Sequence, residues 1–345
     1  MRGVGHFFRT AAAALLAIVV LGQQGWAQQQ SLTLALFARY LDTLRVEAGM
    51  PGLSAAIVEN GTVTWDTGLG LQDVENVVAA RADTPYPVLG LTETVASAVL
   101  LQQCVEQGDL ELTDTARRWN SDFPDAASTV GDVLRHRSGG SFRYDPARYA
   151  ALTDVITQCA RERYQRLVAF EVLNRLGMRS SVPGHNLDPD RSLFTESMLS
   201  DYAAVLRRVA VPYRIDNNRP SRSTYAPGRL DASTGLVSTA RDLAQLDRSW
   251  NVLLSSSTLS QAWSAGSGAP TGLGWFVQPY NGESVVWHFG VARGAYSSLI
   301  LKVPNKHVTL ILLANSDRLS APYTLENGDV TQSVFARLFL RLVLP

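Results

Sequence analysis

Apolar positions along this chain recur at helical spacing in its middle and alternate as in strands towards both ends. Near the amino end, the spacing of Leu34, Phe37 and Leu41 predicts a helix over 31–48 that stops at Gly49. A hairpin follows, because two strand-like segments are joined by Asn60-Gly61, a dipeptide that favours tight β-turns.

Further helices and strands follow from the same periodicity, and the stretch 183–231, rich in Pro, Asn, Arg and Ser, is predicted to be mostly loop. The predicted strands are 53–58, 62–70, 273–277, 284–288, 297–303 and 307–314. The further predicted helices are 95–107, 130–134, 150–176, 239–253 and 330–344.

This order of elements predicts an α/β (α+β) fold. Strands from both ends of the chain form one sheet, which is antiparallel because tight turns connect its strands. Helices near the amino and carboxyl ends flank the sheet, and a mainly helical lobe is inserted. We place the sheet lobe at 28–84 and 264–345, and the helical lobe at 85–263.

The first 27 residues have the pattern of a secretory signal peptide. Arg2 and Arg9 supply the positive end, 11–21 is an apolar run, and small residues precede a predicted cleavage after Ala27. An uncleaved anchor is the alternative, although the apolar run is short for a membrane span. We therefore predict an exported protein, periplasmic or secreted, without a membrane association after cleavage.

Composition and charge add little beyond a globular protein. The apolar fraction is 46% and the formal net charge is +0, which gives no reason to expect nucleic-acid binding. Cys104 and Cys159 are the two cysteines. Export permits a disulfide between them, but buried free thiols fit their apolar surroundings equally well.

Six short motifs, taken together and in this order, resemble the serine β-lactamase and penicillin-binding-protein superfamily, in its class C β-lactamase, esterase and D-alanyl-D-alanine carboxypeptidase branch. One is similar to L-L-x-H-x-S-G and contains His136, and another is close to G-L-x-S-T-A-x-D-L-A. The motifs occupy 50–54, 108–114, 133–139, 235–244, 272–275 and 288–290. The resemblance implies a two-lobed β-lactamase-like fold and an ancestral acyl transfer through a serine ester.

The residues that carry this chemistry in the family are changed here. An S-x-x-K motif should supply the nucleophile and its base, but the matching positions are Gly90 and Glu93. The Y-x-N motif is Tyr144-Asp145-Pro146, so the tyrosine remains and the asparagine does not. The third motif is present as His288-Phe289-Gly290. The resemblance implies that the cleft that holds the substrate in this family, called the old cleft below, is lined here by Gly90, Glu93, Tyr144, Asp145, His288 and Gly290.

Three functions fit this degenerate site. The first is a protein without acyl-serine hydrolysis that binds a small-molecule or cell-wall-derived ligand, or a protein partner, in the old cleft. The second is a hydrolase with a rearranged acid–base site built from Glu93, Tyr144 and His288. The third is a scaffold without cleft function. The oligomeric state stays open.

No other residue stands out as a replacement nucleophile or as a metal site. Thr92 neighbours the site but should face away from it, and Thr94 and Ser97 should be core hydroxyls on the helix that follows. Glu93, Tyr144 and His288, with Asp145, could bind zinc or iron, but no tight ligand spacing supports this. We therefore predict no metal and no cofactor.

Overall fold

An antiparallel sheet of seven strands organises residues 32–344, the part of the chain that the computed structural model describes. The predicted signal segment lies outside the described residues. The strands, in chain order, are β1 (Gly52–Glu59), β2 (Thr62–Asp73), β3 (Val78–Ala79), β4 (Tyr86–Pro87), β5 (Tyr213–Asp216), β6 (Arg219–Arg222), β7 (Val237–Ser238), β8 (Phe276–Tyr280), β9 (Glu283–Ala292), β10 (Tyr296–Val303) and β11 (Val308–Ala314).

Seven of these strands form the large sheet, in the order β3-β2-β1-β11-β10-β9-β8, while β4 pairs with β7 and β5 pairs with β6. The strands of the large sheet come from both ends of the chain, which confirms the predicted fold class. The first hairpin turns at Asn60 and Gly61, which both have positive φ, as a type I′ turn requires. Strands β1 and β11 pair along their lengths at the centre, from Leu53 opposite Ala314 to Glu59 opposite Val308. The limits predicted for the two lobes stay a prediction.

Most of the helices lie between β4 and β8 in the chain. The helices are α1 (32–47), α2 (Ala98–Gln107), α3 (Ala116–Trp119), α4 (Val130–Leu134), α5 (Pro146–Ala150), α6 (Leu152–Ala160), α7 (Tyr164–Leu167), α8 (Glu196–Leu206), α9 (Ala240–Asp247), α10 (Trp250–Leu253), α11 (Ser256–Ala262) and α12 (Val334–Val343). A π-helical segment, Glu93–Ser97, leads directly into α2. Within residues 32–344, no helix is both long enough and apolar enough to cross a bilayer.

Three sequence predictions differ from the structure. The helix predicted over 150–176 is interrupted, because Arg161 ends α6 in the left-handed conformation with φ of 54°. The helix predicted over 239–253 is split into α9 and α10, with Ser249 at a non-helical φ and ψ between them. The segment predicted to be loop contains α8, whose first turn is capped by the Thr195 hydroxyl accepting from Met198 N–H.

Cys104 on α2 and Cys159 on α6 form a disulfide, which resolves the question that the sequence left open. Their Cα atoms are 6.4 Å apart, within the usual range for a bridge. Both residues are buried in the core of the helical region, among the apolar side chains of α2 and α6. The bridge joins these helices across a sequence separation of 55 residues.

Removing this disulfide is expected to lower the free energy of unfolding by about 2–4 kcal/mol, because the bridge restricts the unfolded chain. Urea unfolding of the native protein and of Cys104→Ala/Cys159→Ala measures the difference. A thiol assay of the unfolded native protein should find no free thiol. Two reactive thiols, or equal unfolding midpoints, would contradict the expectation.

Candidate functional site

The candidate site lies where the start of the π-helical segment meets β9. Gly90 and Leu91 precede that segment, and Glu93 is its first residue. On β9, His288 pairs with Ile300 of β10, and Gly290 pairs with Ser298. These segments are far apart in the chain, and only the sheet and the packing of the 88–93 segment against β9 bring them together.

That close packing depends on Gly290. A Cβ atom at Gly290 would come within 2.7 Å of both Leu89 Cβ and Val88 O, and within 2.5 Å of Ser298 Oγ. Ser298 Oγ donates to Val88 O at 2.7 Å, so the strand directly anchors the segment before Gly90. Leu89 has φ of 56°, a strained conformation that persists where surrounding contacts fix it.

Glu93 is the centre of the site and is fully buried. Its Oε2 lies 3.0 Å from His136 Nε2 and 3.3 Å from His288 Nε2, and both imidazoles are buried as well. Tyr144 donates its hydroxyl hydrogen to Glu93 Oε1 at 3.4 Å. The carboxylate therefore faces three side chains of the protein itself.

The backbone of Glu93 forms part of the π-helical turn that precedes α2. The Ala98 N–H donates to Glu93 O, the i+5 hydrogen bond of a π-helical turn, and Tyr149 OH donates to the same carbonyl at 3.1 Å. The hydroxyl of Tyr149 thus takes part of the hydrogen bonding at this carbonyl. Both interactions hold the Glu93 backbone where its side chain reaches His136 and His288.

The hydrogen bonds of His136 fix which of its ring nitrogens carries the proton, whereas those of His288 fit either tautomer. The Asp145 N–H donates to His136 Nδ1 at 3.2 Å, so Nδ1 carries no proton and Nε2 must carry one when the ring is neutral. That Nε2–H points at the Glu93 carboxylate. His288 Nδ1 lies 3.0 Å from both the N and the O of Phe289.

Electrostatics of the site are set by opposing effects on Glu93. Burial alone would raise the pKa of Glu93, but the nearby imidazoles of His136 and His288 lower it, and the net pKa lies below the usual 4.5. Burial raises the pKa of Tyr144 well above its usual range, and the negative charge of Glu93 raises it further. Tyr144 therefore stays a neutral phenol.

Glu93, His136 and His288 are the set of side chains within residues 32–344 that could hold a metal ion, since one ligand atom of each lies within 4.8 Å of the others. A metal-bound histidine usually donates its other ring N–H to an acceptor. His136 Nδ1 instead faces the N–H of Asp145, so its Nε2 is the protonated nitrogen. The donor set therefore does not fit a metal ion bound through His136.

The Asp145 carboxylate caps α5 and contacts an arginine side chain. Its Oδ1 accepts from Arg148 N–H at 3.1 Å as the cap of α5, and its Oδ2 lies 2.7 Å from Arg143 Nη2. The carboxylate thus contacts arginines and a helix terminus, while the backbone N–H contacts His136. His136 contacts Glu93 but was not among the site residues predicted from the sequence; its place in the motif at 133–139 was the available signal.

Gly90 has neither a nucleophile nor room for one. A Cβ atom there would lie 2.5 Å from Phe289 O and 2.9 Å from Tyr144 OH, closer than real Cβ contacts. Its φ is not in the left-handed region, so the backbone conformation would accept a side chain and only the neighbouring atoms exclude it. The space of the missing serine is filled.

The hydroxyls near Gly90 face the interior of the protein. Thr92 Oγ1 accepts from Leu236 N–H at 3.3 Å, and Thr94 Oγ1 donates to Gly274 O. Ser97 Oγ donates to Ala232 O at 2.6 Å and contacts Tyr164 OH. All three are fully buried, so none is presented to a substrate.

Comparisons with known proteins agree with this architecture. The family model described as Beta-lactamase matches residues 37–332. Protein flp from Staphylococcus aureus (strain MW2) is 22% identical over 329 residues, which cover 81% of this chain and 62% of flp. This chain therefore spans less than two thirds of that curated relative.

Solved structures show the same fold at low sequence identity. The octameric penicillin-binding protein homologue from Pyrococcus abyssi superimposes with a TM-score of 0.72 and 20% identity, covering 89% of this chain and 77% of that one. A class C β-lactamase from Rhodobacter sphaeroides gives 0.66 and 15% identity, covering 89% and 97%.

Proposed function

Since the chain belongs to the β-lactamase family, we propose that it is an exported member that no longer forms an acyl-serine and whose fold serves binding instead of hydrolysis. The contacts of Gly90 carry this proposal: the nucleophile is absent, and Phe289 O and Tyr144 OH occupy its space. Acyl transfer of the family type requires a hydroxyl that a base can activate, and this position supplies none.

The buried state of Glu93 supports the same conclusion. A general base must reach the proton that it abstracts from a nucleophile or substrate. Both oxygens of Glu93 contact side chains of the protein, and the carboxylate is fully buried. Tyr144, whose pKa is raised, supplies no phenolate in its place.

The disulfide supports export. Bridges such as Cys104–Cys159 form and persist mainly in oxidising compartments, which include the bacterial periplasm and the exterior of cells. Cleavage of a signal peptide after Ala27 belongs to this proposal. So does a ligand or partner in the old cleft, but that ligand would have to displace Tyr144 from above Gly90.

A hydrolase with a rearranged site is the second candidate, and one observation favours it: Glu93, Tyr144 and His288 do converge around one carboxylate. It would require the cluster to open to substrate. Turnover of an ester or amide that disappears in both Glu93→Gln and His288→Ala would favour this candidate.

Labelling tests the first proposal. We expect intact-mass analysis with a fluorescent penicillin and a broad fluorophosphonate to show no adduct on the native protein. An active serine β-lactamase serves as the positive control. An adduct on the native protein would overturn the proposal, and peptide mapping would identify the nucleophile.

Gly90→Ser and Gly90→Ser/Glu93→Lys extend this test. We expect neither to gain labelling, and we expect Gly90→Ser to lose about 1–3 kcal/mol of stability, as overpacked interiors do. Gly228→Ser is the matched control, because a Cβ atom there meets nothing within 4 Å. Labelling of the double variant without loss of stability would show that the cleft still has room for a serine.

A further inference from the structure

A groove of about 930 Å³ lies away from the Glu93 cluster, and none of the candidate-site residues lines it. Its walls are α9–α11 on one side and the ends of β8–β10 on the other. Lys302 and Asp247 lie between these walls, and both side chains are buried. The volume falls within the range of about 300–1,000 Å³ that is typical of small-molecule sites.

The charged groups of this groove are mostly neutralised by each other. Lys302 Nζ lies 2.9 Å from Asp247 Oδ1 and 2.9 Å from Thr309 Oγ1. Glu283 accepts from Asn305 Nδ2 at 3.0 Å and lies 3.5 Å from Lys306 Nζ. Arg248 also lines the groove, is exposed, and has no ion-pair partner among residues 32–344. Because the other charges are paired, the rest of the groove offers little attraction to an ion and suits a neutral ligand.

Uncharged polar side chains that make no hydrogen bond within the described part of the chain lie along one wall. Ser256 and Ser260, one helical turn apart on α11, are exposed and line the groove together with Asn251. These three side chains make no hydrogen bond within residues 32–344. Trp263, half-buried in the same wall, has an indole N–H that is itself buried and has no hydrogen-bond partner in that part of the chain.

Apolar surface completes the lining. Leu259 and Val277 contribute aliphatic side chains. Trp263 contributes the part of its indole that is not covered by Lys302, whose Nζ lies 5.3 Å from the ring centroid. An aromatic surface beside hydroxyl and amide groups is the combination that a sugar ring requires, since its C–H faces are apolar and its edge carries hydroxyls. A purely apolar ligand would leave Ser256, Ser260 and Asn251 without partners.

We propose that this groove binds a neutral oligosaccharide, with sugar rings against Trp263 and Leu259 and sugar hydroxyls hydrogen-bonded to Asn251, Ser256 and Ser260. The site is independent of the Gly90 region. Its failure in the test below would leave the proposal of a non-acylating protein unaffected, because labelling reports only on the Gly90 region.

Isothermal titration calorimetry of the full chain with tetra-N-acetylchitotetraose and with cellotetraose tests the site. We expect saturable binding of at least one of them with a Kd below about 1 mM. Ser260→Phe, which fills the groove from an exposed helical position, should weaken binding by about tenfold or more. Gln261→Phe lies on the same exposed helix but does not line the groove, and should bind as the native protein does.

Three results would overturn the proposal. The first is no binding of either neutral sugar up to about 10 mM. The second is equal binding by the native protein and Ser260→Phe. The third is tighter, salt-dependent binding of an acidic tetragalacturonate that is lost in Arg248→Ala, which would assign the groove to anions through its exposed arginine.

Discussion

Glu93→Gln is expected to lower the free energy of unfolding at pH 7 by about 1.5–3 kcal/mol, because the charge-assisted hydrogen bonds of the buried carboxylate become weaker neutral ones. The Glu93 carboxylate is fully buried, and its Oε2 lies 3.0 Å from His136 Nε2 and 3.3 Å from His288 Nε2, so water does not replace these contacts. Glutamine is nearly the same size, so the change removes charge while keeping the volume. Urea unfolding of both proteins measures the difference.

The same substitution should change how stability depends on pH. The net pKa of Glu93 is lowered in the folded protein, so its stabilising contribution is fully present above the unfolded value of about 4.5. That contribution is lost as the pH falls through the lower, folded pKa. The stability difference between the native protein and Glu93→Gln should therefore shrink on acidification below about pH 4.5.

Glu171→Gln is the matched control, since the Glu171 carboxylate is half-exposed and lies 3.7 Å from Arg175. We expect a change within about 0.5 kcal/mol there. A Glu93→Gln protein that is more stable than the native one would contradict the expectation. It would mean that the buried carboxylate is kept at a cost in stability, as catalytic groups often are, and would favour the rearranged hydrolase.

The fold was predictable because its signals are local. The Asn60-Gly61 turn and the alternating strands each predict their own element, and the motif order indicates how they assemble. The ends of the helices were not predictable in the same way. No glycine or proline marks Arg161, which nevertheless adopts the left-handed conformation at the end of α6. In α8, the capping signal at Thr195 was present within a stretch whose composition favoured loops.

The candidate site was predictable only in part. Motif matches pointed to Gly90, Glu93 and His288, but the filled space at Gly90 depends on the carbonyl of Phe289, a backbone atom of a distant strand. The position of that carbonyl follows from the packing of β9 against Leu89, which no local pattern encodes. The contact of His136 with Glu93 likewise follows from tertiary packing and not from spacing.

Lys302→Met is expected to lower the free energy of unfolding by about 3–5 kcal/mol, because it leaves Asp247 buried without its cation. Asp247 is 6% exposed and Lys302 is 8% exposed, so water replaces the lost partner poorly. The double variant Lys302→Met/Asp247→Asn should recover most of the loss, since it removes both charges. Its amide oxygen can still accept from Trp250 Nε1, which donates to Asp247 at 3.0 Å.

Lys306→Met is the control for a lost lysine near the same groove, because the half-exposed Lys306 lies 3.5 Å from Glu283. It should change stability by less than about 1 kcal/mol. A loss that small for Lys302→Met would instead show that water or a ligand reaches the pair. The charges at the base of the groove would then be available for binding, and a neutral sugar would no longer be the ligand that the lining favours.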